Sequence, residues 1–326
     1  MIQYKKISSI EDYNFLLDIF FGKVRYGRYL SDIKLDVDKS IQYEIKKLQA
    51  YAKSGNLYFA IENNNKLIGM IGFQLSKWDT DIFEKRIAKI DYFLVDEKTL
   101  YANMSIAEKL LSIFHSWVRE NEIDVAIVRL DTNFFTPIIA VQKENYIFFE
   151  CITIPVLDLI SKPILKPANT TFRYFKKGKE EELKNFAVRN GYKKSHFYLD
   201  PKFNRDKVDR MYATWIGTAL EKNQKMVIIE DGSNNVNGIF LYDVLDLTDV
   251  FNKKFGMWKY AAVDNKYRGK GYGKKLFYCA IKSCKENNVD IIDSGLATKN
   301  TPSVNLHTIF GFRNVCSLYT FHKWFD

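Results

Sequence analysis

The sequence predicts a mixed α/β protein in which one architecture is used twice. Helix-period and strand-period segments alternate along the whole chain, the pattern of an α/β layout with a mixed sheet. The order of elements before residue 160 begins again after residue 170. Between them, Ser161-Lys-Pro-Ile-Leu-Lys-Pro-Ala-Asn169 holds two of the six prolines and has no clear period. Proline removes a backbone donor and restricts its neighbour, so this stretch reads as a linker. The expected division is residues 1–160, a linker at 161–169 with the boundary near 165, and residues 170–326.

Residues 9–21 read as a helix, with Ser9, early acids and an apolar stripe of Tyr13, Leu16, Leu17, Ile19 and Phe20. A second helix is expected over 39–53. Strands follow at 57–61 and 67–73, joined by an Asn63-Asn-Asn65 turn. Next come a strand at 87–95, a helix at 104–119, a strand at 124–130, a helix at 133–142 and a strand pair over 147–157. The second half repeats this order: a strand at 171–175, helices at 179–189 and 205–220, and strands at 226–229 and 237–243 about a turn at 232–235. A strand at 257–263, a glycine-rich loop and a helix at 274–286 lead to a strand at 289–292, a short helix at 302–310 and strands over 315–324. Local matches tie the halves together, Asn65-Lys-Leu-Ile-Gly69 with Asn234-Asn-Val-Asn-Gly238 and Glu122-Ile-Asp-Val125 with Asn287-Asn-Val-Asp290.

Composition narrows the classes. The 326 residues are comfortable for two domains, and 47% hydrophobic content is ample for their cores. The net charge of +10 is spread among acids with no long basic block, so no nucleic-acid surface is expected. The four cysteines form no Cys-x-x-Cys pair and have no metal-ligand spacing with the four histidines. Cys279 and Cys284 fall in a helical apolar pattern and read as core residues. No metal is expected, and a reduced cytoplasmic setting fits best. Residues 1–6 lack the apolar run of a leader, and no window approaches a membrane-spanning length.

The chemistry is concentrated in Val263-Asp-Asn-Lys-Tyr-Arg-Gly-Lys-Gly-Tyr-Gly-Lys-Lys-Leu276. Gly269, Gly271 and Gly273 leave the backbone bare where a strand hands over to a helix. Successive N–H groups and the helix N-terminus then favour an anion such as a pyrophosphate. Arg268, Lys270, Lys274 and Lys275 add formal positive charge. A Walker loop is excluded because no Ser or Thr follows the lysines, and a dinucleotide fingerprint because Lys274 occupies its third glycine position. In the first half the corresponding run is 95–110. Aligned by sequence it is two residues longer, with Ala102, Ser105 and Ala107 opposite Arg268, Gly271 and Gly273, so that half is expected not to bind the same anion. Its expected roles are packing, dimerisation or completing an acceptor pocket. Downstream lies a second constellation, Asn300-Thr-Pro-Ser303-Val-Asn-Leu306-His307, ending in Gly311-Phe312.

Together, Arg268-x-x-Gly271-x-Gly273 and Asn300-x-x-Ser303-x-x-Leu306-His307 resemble the GNAT (GCN5-related) N-acetyltransferase superfamily. The expected fold is therefore two tandem GNAT-like domains, the N-terminal one degenerate. The resemblance implies acetyl-CoA as cosubstrate. Backbone of Ala261, Ala262 and Val263 would align the pantetheine, and Arg268, Gly269, Lys270, Gly271, Tyr272, Gly273 and Lys274 would hold the pyrophosphate. Asn300 and Ser303 would border the pantetheine arm. His307 falls where many members carry a tyrosine that protonates the departing thiolate, and imidazole can fill that role. Asp243, Tyr242, Tyr260 and an ordered water are the candidates for the base.

A third set of residues is similar to the bacterial dTDP-fucosamine acetyltransferase group: Ser195-His-Phe-Tyr-Leu-Asp-Pro-Lys-Phe203, Tyr212-Ala-Thr-Trp215, Phe321-His-Lys-Trp324 and Trp78-Asp-Thr-Asp-Ile-Phe83. This resemblance spans roughly residues 70–326 and implies a nucleotide-linked amino-deoxysugar as acceptor. The chain departs from that group at Leu296-Ala297, where Thr-Gln is usual, at His307, and in its extra first 70 residues. A protein N-terminus, a polyamine or an antibiotic amine would share every donor motif, as would an acyl-CoA-binding protein without turnover.

Overall fold

The computed structural model describes residues 1–26, 35–97, 103–160, 172–175, 178–230 and 235–325. The expected linker at 161–169 and most of the turn at 232–235 lie outside them. Contacts divide the chain into two units, residues 1–152 with 316–326, and residues 153–315. These units differ from the sequence expectation of 1–160 and 170–326 at two strands. An alternating pattern tells which face of a strand is apolar, but not which sheet takes its edges.

The first unit runs β1 (Ile2–Lys6), α1 (Asn14–Val24), α2 (Val37–Lys53), β2 (Leu57–Glu62), β3 (Leu67–Leu75), α3 (Lys77–Phe83), β4 (Ile87–Val95), α4 (Met104–Glu120), β5 (Val125–Asp131), α5 (Phe135–Lys143) and the start of β6 (Ile147–Asp158). β1 to β4 form an antiparallel meander, and β5 pairs parallel with β4. Residues 318–324 then pair antiparallel with β5, so Phe321 sits in this unit's core. Helix α4 forms because Ile106, Leu110, Phe114 and Val118 recur every four residues and bury one stripe against the sheet. Helix α2 is started by the Asp36 side chain accepting from the N–H of Lys39, and it buries Ile41, Ile45 and Leu48 on the other side with Phe20 and Phe59.

The second unit contains the rest of β6, then β7 (Arg173–Tyr174), α6 (Glu180–Asn190), α7 (His196–Leu199), α8 (Arg205–Glu221), β8 (Lys225–Glu230), β9 (Val236–Leu247), α9 (Thr248–Phe251), β10 (Lys253–Val263), α10 (Tyr272–Glu286), β11 (Ile291–Asp293), β12 (Leu296–Ala297), α11 (Thr301–Ile309) and the first residues of β13 (Arg313–Trp324). β7 to β10 are antiparallel, β11 pairs parallel with β10, and residues 156–158 of β6 pair with β11. One face packs on α10 through Phe240, Tyr242, Trp258, Phe277, Cys279 and Cys284. Burial pushes both thiols up to about 12, as expected of cysteines that serve as small core residues. No helix among the described residues is long and apolar enough to cross a membrane.

The duplication extends to individual registers. Gly69 faces Val95 across β3 and β4, and Gly238 faces Val263 across β9 and β10. Three steps on, each pair carries a bulge, at Asp91 in β4 and at Lys259 in β10. Both glycines sit where space is tight. A Cβ on Gly69 would meet Ile106, Leu110 and Val95 at 3.1–3.2 Å, and one on Gly238 would meet Ile229 at 2.9 Å.

The same comparison corrects the loop alignment. Helix α4 starts behind Asn103 (φ 60°) and α10 behind Gly271 (φ 82°), both left-handed N-caps without a side-chain cap. The same number of residues, seven, separates Val95 from Asn103 and Val263 from Gly271, so Asn103, not Ser105, is the counterpart of Gly271. Asparagine tolerates the left-handed region that glycine adopts freely, which hid the match from an alignment on glycines. Ser105 then corresponds to Gly273, and Ala102 lies outside the described residues.

Candidate active site

Strand β10 pairs with β9 along its whole length, from Lys253↔Leu247 to Val263↔Gly238. With β11 it pairs only over Phe255, Gly256 and Met257. β12 pairs β6 instead, so among the described residues no strand covers the other edge of β10 from Trp258 to Val263. The sheet forks there. Ala261, Ala262 and Val263 lie on this open edge, where backbone N–H and C=O groups need a partner.

Past the fork, the Asp264 side chain accepts from the N–H of Lys266 and starts a short 3-10 turn, Asn265–Tyr267. Arg268 folds back over it. Its Nε donates to the Val263 carbonyl at 3.2 Å and an Nη to the Asn190 carbonyl at 3.5 Å. The buried Asn190 side chain in turn accepts from the N–H of Asn265 at 3.1 Å. Arg268 thus ties the loop to the end of β10 and to α6 while leaving other guanidinium N–H groups to donate.

The three glycines serve two purposes. Gly269 (φ 75°) and Gly271 (φ 82°) are left-handed, and a Cβ on either would meet no protein atom within 4 Å. That is a bare backbone facing open space at the start of an uncapped 15-residue helix, α10. An anion can approach its N–H groups closely. Gly273 instead lets α10 approach α11, since its Cβ would lie 3.0 Å from Leu306. Lys270 and Lys274 are exposed beside the loop, and Tyr272 stacks near Tyr267 with ring centres 4.7 Å apart.

The second constellation folds as a cap and a buried imidazole. The Asn300 side chain accepts from the N–H of Ser303 at 3.4 Å and opens α11. His307 is 5% exposed and is packed among Trp258, Phe277 and Phe312. Its Nδ1 lies 2.8 Å from the Ser303 carbonyl and its Nε2 3.0 Å from the Ser294 hydroxyl. A carbonyl only accepts, so Nδ1 carries the proton and Nε2 accepts from Ser294. Burial holds the imidazole down at about 4, so it is neutral at pH 7. The imidazole's polar link to the fork is Ser294, which follows the last residue of β11.

The base candidates separate by face. The Tyr242 hydroxyl points into the α10 side, 2.6 Å from Ser283 and 3.1 Å from Asn287, and burial raises its pKa. Tyr260 faces the α6–α8 side, where its hydroxyl donates to the Ala187 carbonyl at 3.4 Å and burial again raises its pKa. Tyr212 and Trp215 of α8 wall the same side, with centroids 5.9 and 6.1 Å from the Tyr260 ring. Asp243, half-buried, accepts from Gln224 at 3.1 Å.

Two residues went unread in the sequence. Ser294 resembles an ordinary turn residue before Gly295, and Asn190 an ordinary helix end before Gly191. The aromatic segments also divide. Segment 195–203 and Tyr212–Trp215 belong to the second unit, whereas Trp78 and Phe321–Trp324 belong to the first.

His307 and His115 give the fold an acid-sensitive window. Burial holds both at about 4, against roughly 6.5 in an unfolded chain. Between pH 6.5 and 4 the unfolded chain binds protons that the folded one does not. Stability is therefore full above pH 6.5 and falls as pH drops through that window, by up to about 3 kcal/mol per histidine. Urea midpoints at pH 7.5 and pH 4.5 measure this, with the lower midpoint expected at pH 4.5.

Residues 186–312 match the model of the acetyltransferase (GNAT) family. The whole chain is similar in fold to a GCN5-related N-acetyltransferase from Sphaerobacter thermophilus, with TM-score 0.68, 10% identity, and 99% of this chain and 95% of that one covered. A tandem GNAT protein from the clavulanic acid biosynthesis pathway aligns with TM-score 0.56 and 10% identity over 99% of this chain and 98% of that one. In sequence, the chain is 20% identical over 268 residues to the spore coat polysaccharide biosynthesis protein SpsD of Bacillus subtilis (strain 168), covering 80% of this chain and 86% of that protein.

Proposed function

We propose that the second unit of this GNAT-fold chain transfers the acetyl group of acetyl-CoA to a primary amine, most specifically that of a nucleotide-linked amino-deoxysugar of the dTDP-fucosamine kind. One observation carries the donor half. The open edge of β10 leads directly to two left-handed glycines whose Cβ positions face empty space at an uncapped helix start. A thioester-bearing chain can hydrogen-bond along that edge and place its pyrophosphate on the glycines.

In this reading, the backbone of 261–263 aligns the pantetheine, and N–H groups of 269–274 with Lys270 and Lys274 hold the phosphates. Asn300 shapes the start of α11, and Ser303 holds His307 in one tautomer. Bound acetyl-CoA supplies an already activated acyl group, so positioning the amine and moving its proton account for most of the remaining work. The amine enters from the α6–α8 side. Asp243 stands there, able to take its proton directly or through a water. Ser294 stands at the fork with its hydroxyl held by Nε2 of His307, able to hand its proton to the leaving sulfur as it takes up, through water, the proton released by the amine, so that none is drawn from the neutral imidazole. The four cysteines are free thiols, in keeping with a reducing cytoplasm.

Two observations favour a sugar-nucleotide over other amines. Half-buried Trp215, backed by the buried rings of Tyr212 and Tyr260, offers stacking surface rather than a carboxylate cluster for a polyamine. The similarity to a polysaccharide biosynthesis protein points the same way. Release of CoA thiol is to be followed with dTDP-amino-sugars, polyamines and short peptides as acceptors. Turnover confined to amino-sugars is expected. Turnover only with polyamines or peptides would replace the acceptor assignment, and CoA binding without any turnover would remove the catalytic one.

A further inference from the structure

The first unit carries a cleft of about 500 Å³, bordered by Lys46, Lys47, Tyr51, Ser54 and Gln74, for which the acyl-transfer reading has no use. Its place in the fold is defined by the duplication. Asp36 and Asn204 cap α2 and α8 identically, so Glu44, Lys47 and Tyr51 correspond to Tyr212, Trp215 and Ala219. The bulge residues Asp91 and Lys259 correspond, as do Gln74 and Asp243. Where one unit builds an aromatic wall, the other builds a hydrogen-bonding surface at the same position.

That surface is organised in advance. The Tyr51 hydroxyl and the Gln74 amide both donate to one Asp91 oxygen, at 2.9 and 2.7 Å. Tyr26 donates to the Asp91 carbonyl at 3.3 Å. Glu44, 3% exposed, accepts from Tyr92 at 3.2 Å and from Lys47 at 2.8 Å. Tyr51 and Tyr92 meet edge to face, 5.3 Å apart. These bonds fix Tyr51 and Gln74 on the cleft wall with Asp91 behind them, and leave the Gln74 amide oxygen as a directed acceptor for hydroxyl groups. Lys46 and Lys47 stand exposed at the rim.

We propose that this cleft is a second ligand site, specific for a phosphorylated, hydroxyl-rich molecule such as a sugar phosphate. The Gln74 amide oxygen and the Ser54 hydroxyl beside the Tyr51 ring suit a ligand's hydroxyls, and two ammonium groups at the mouth suit a phosphate.

Calorimetry of the full chain without acetyl-CoA tests this, with glucose 1-phosphate as the probe and glucose and inorganic phosphate as comparators. Glucose 1-phosphate is expected to bind more tightly than either comparator. Lys46→Glu, an exposed change that leaves the core untouched, and Asp91→Asn are each expected to raise its Kd by about tenfold or more. Equal affinity for inorganic phosphate would overturn the hydroxyl half of the proposal. Loss of binding in Trp215→Ala with no effect of Lys46→Glu would place the ligand in the second unit, and no heat with any probe would overturn the site altogether. Because the readout needs neither acetyl-CoA nor turnover, its failure is distinct from failure of the acetyltransferase reading.

Discussion

Gly271→Glu is expected to abolish measurable acetyl-CoA binding while leaving the fold intact. Gly271 has φ 82°, so any side chain other than Asn or Asp is strained there by about 1 kcal/mol. The strain alone would weaken the loop only modestly. The larger effect is occupancy: a Cβ at 271 projects into the space in front of the α10 N-terminus, where no protein atom lies within 4 Å. The Glu carboxylate would then sit where the pyrophosphate is to bind and would use the same N–H groups. Together these effects should raise Kd for acetyl-CoA by about 100-fold or more, or roughly 2.7 kcal/mol. Gly271→Asn separates the two contributions. Asn103 shows that this residue type adopts the left-handed cap in the other unit, so this variant removes the strain while keeping a side chain in the cleft. It should bind acetyl-CoA with intermediate affinity. Calorimetry reads both, with circular dichroism as the control for folding. Unchanged affinity in Gly271→Glu would remove the anion-loop assignment.

The sequence made the duplication legible because its constraints are local and steric. Gly69 and Gly238 both relieve a tight contact with packed side chains, and they stand at matching registers. The loop was misaligned because glycine and asparagine solve the same backbone problem with different letters. The division of the C-terminal strand was not legible, since nothing in the alternation of residues 315–324 specifies whether its edges pair with β5. Asn190 and Ser294 were missed for a related reason: their significance lies in partners 75 and 13 residues away. His307 was found by motif, but its surroundings were not. The sequence reading treated it as a group open to the thiolate, and only tertiary packing shows it enclosed by three aromatic rings.

The internal copy also supplies the variant that separates a catalytic role of that histidine from a packing role. Phe312 donates its N–H to the His307 carbonyl at 3.0 Å, and Tyr146 donates to the Val141 carbonyl at 3.1 Å, so His307 and Val141 correspond. Ile90 pairs with Val128 across β4 and β5, and Met257 with Asp293 across β10 and β11, so Ser294 corresponds to Val128. The hydroxyl–imidazole pair of one unit is thus an apolar valine pair in the other. Either single valine substitution strands a buried polar atom and should cost about 1–3 kcal/mol. Ser294→Val combined with His307→Val removes both partners at once and should destabilise by less than the sum of the two. It should also remove the His307 share of the stability lost between pH 6.5 and 4. With the fold thus preserved, proton transfer is what the double variant lacks, and kcat for acetyl transfer should fall by about 100-fold or more, the usual range for a positioned acid or base. Restoring only Ser294, in His307→Val, should not restore the rate, because the hydroxyl then lacks the Nε2 acceptor that orients it. A double variant that melts normally and turns over at the original rate would show that the pair is packing alone. The proton would then have to reach the sulfur by water.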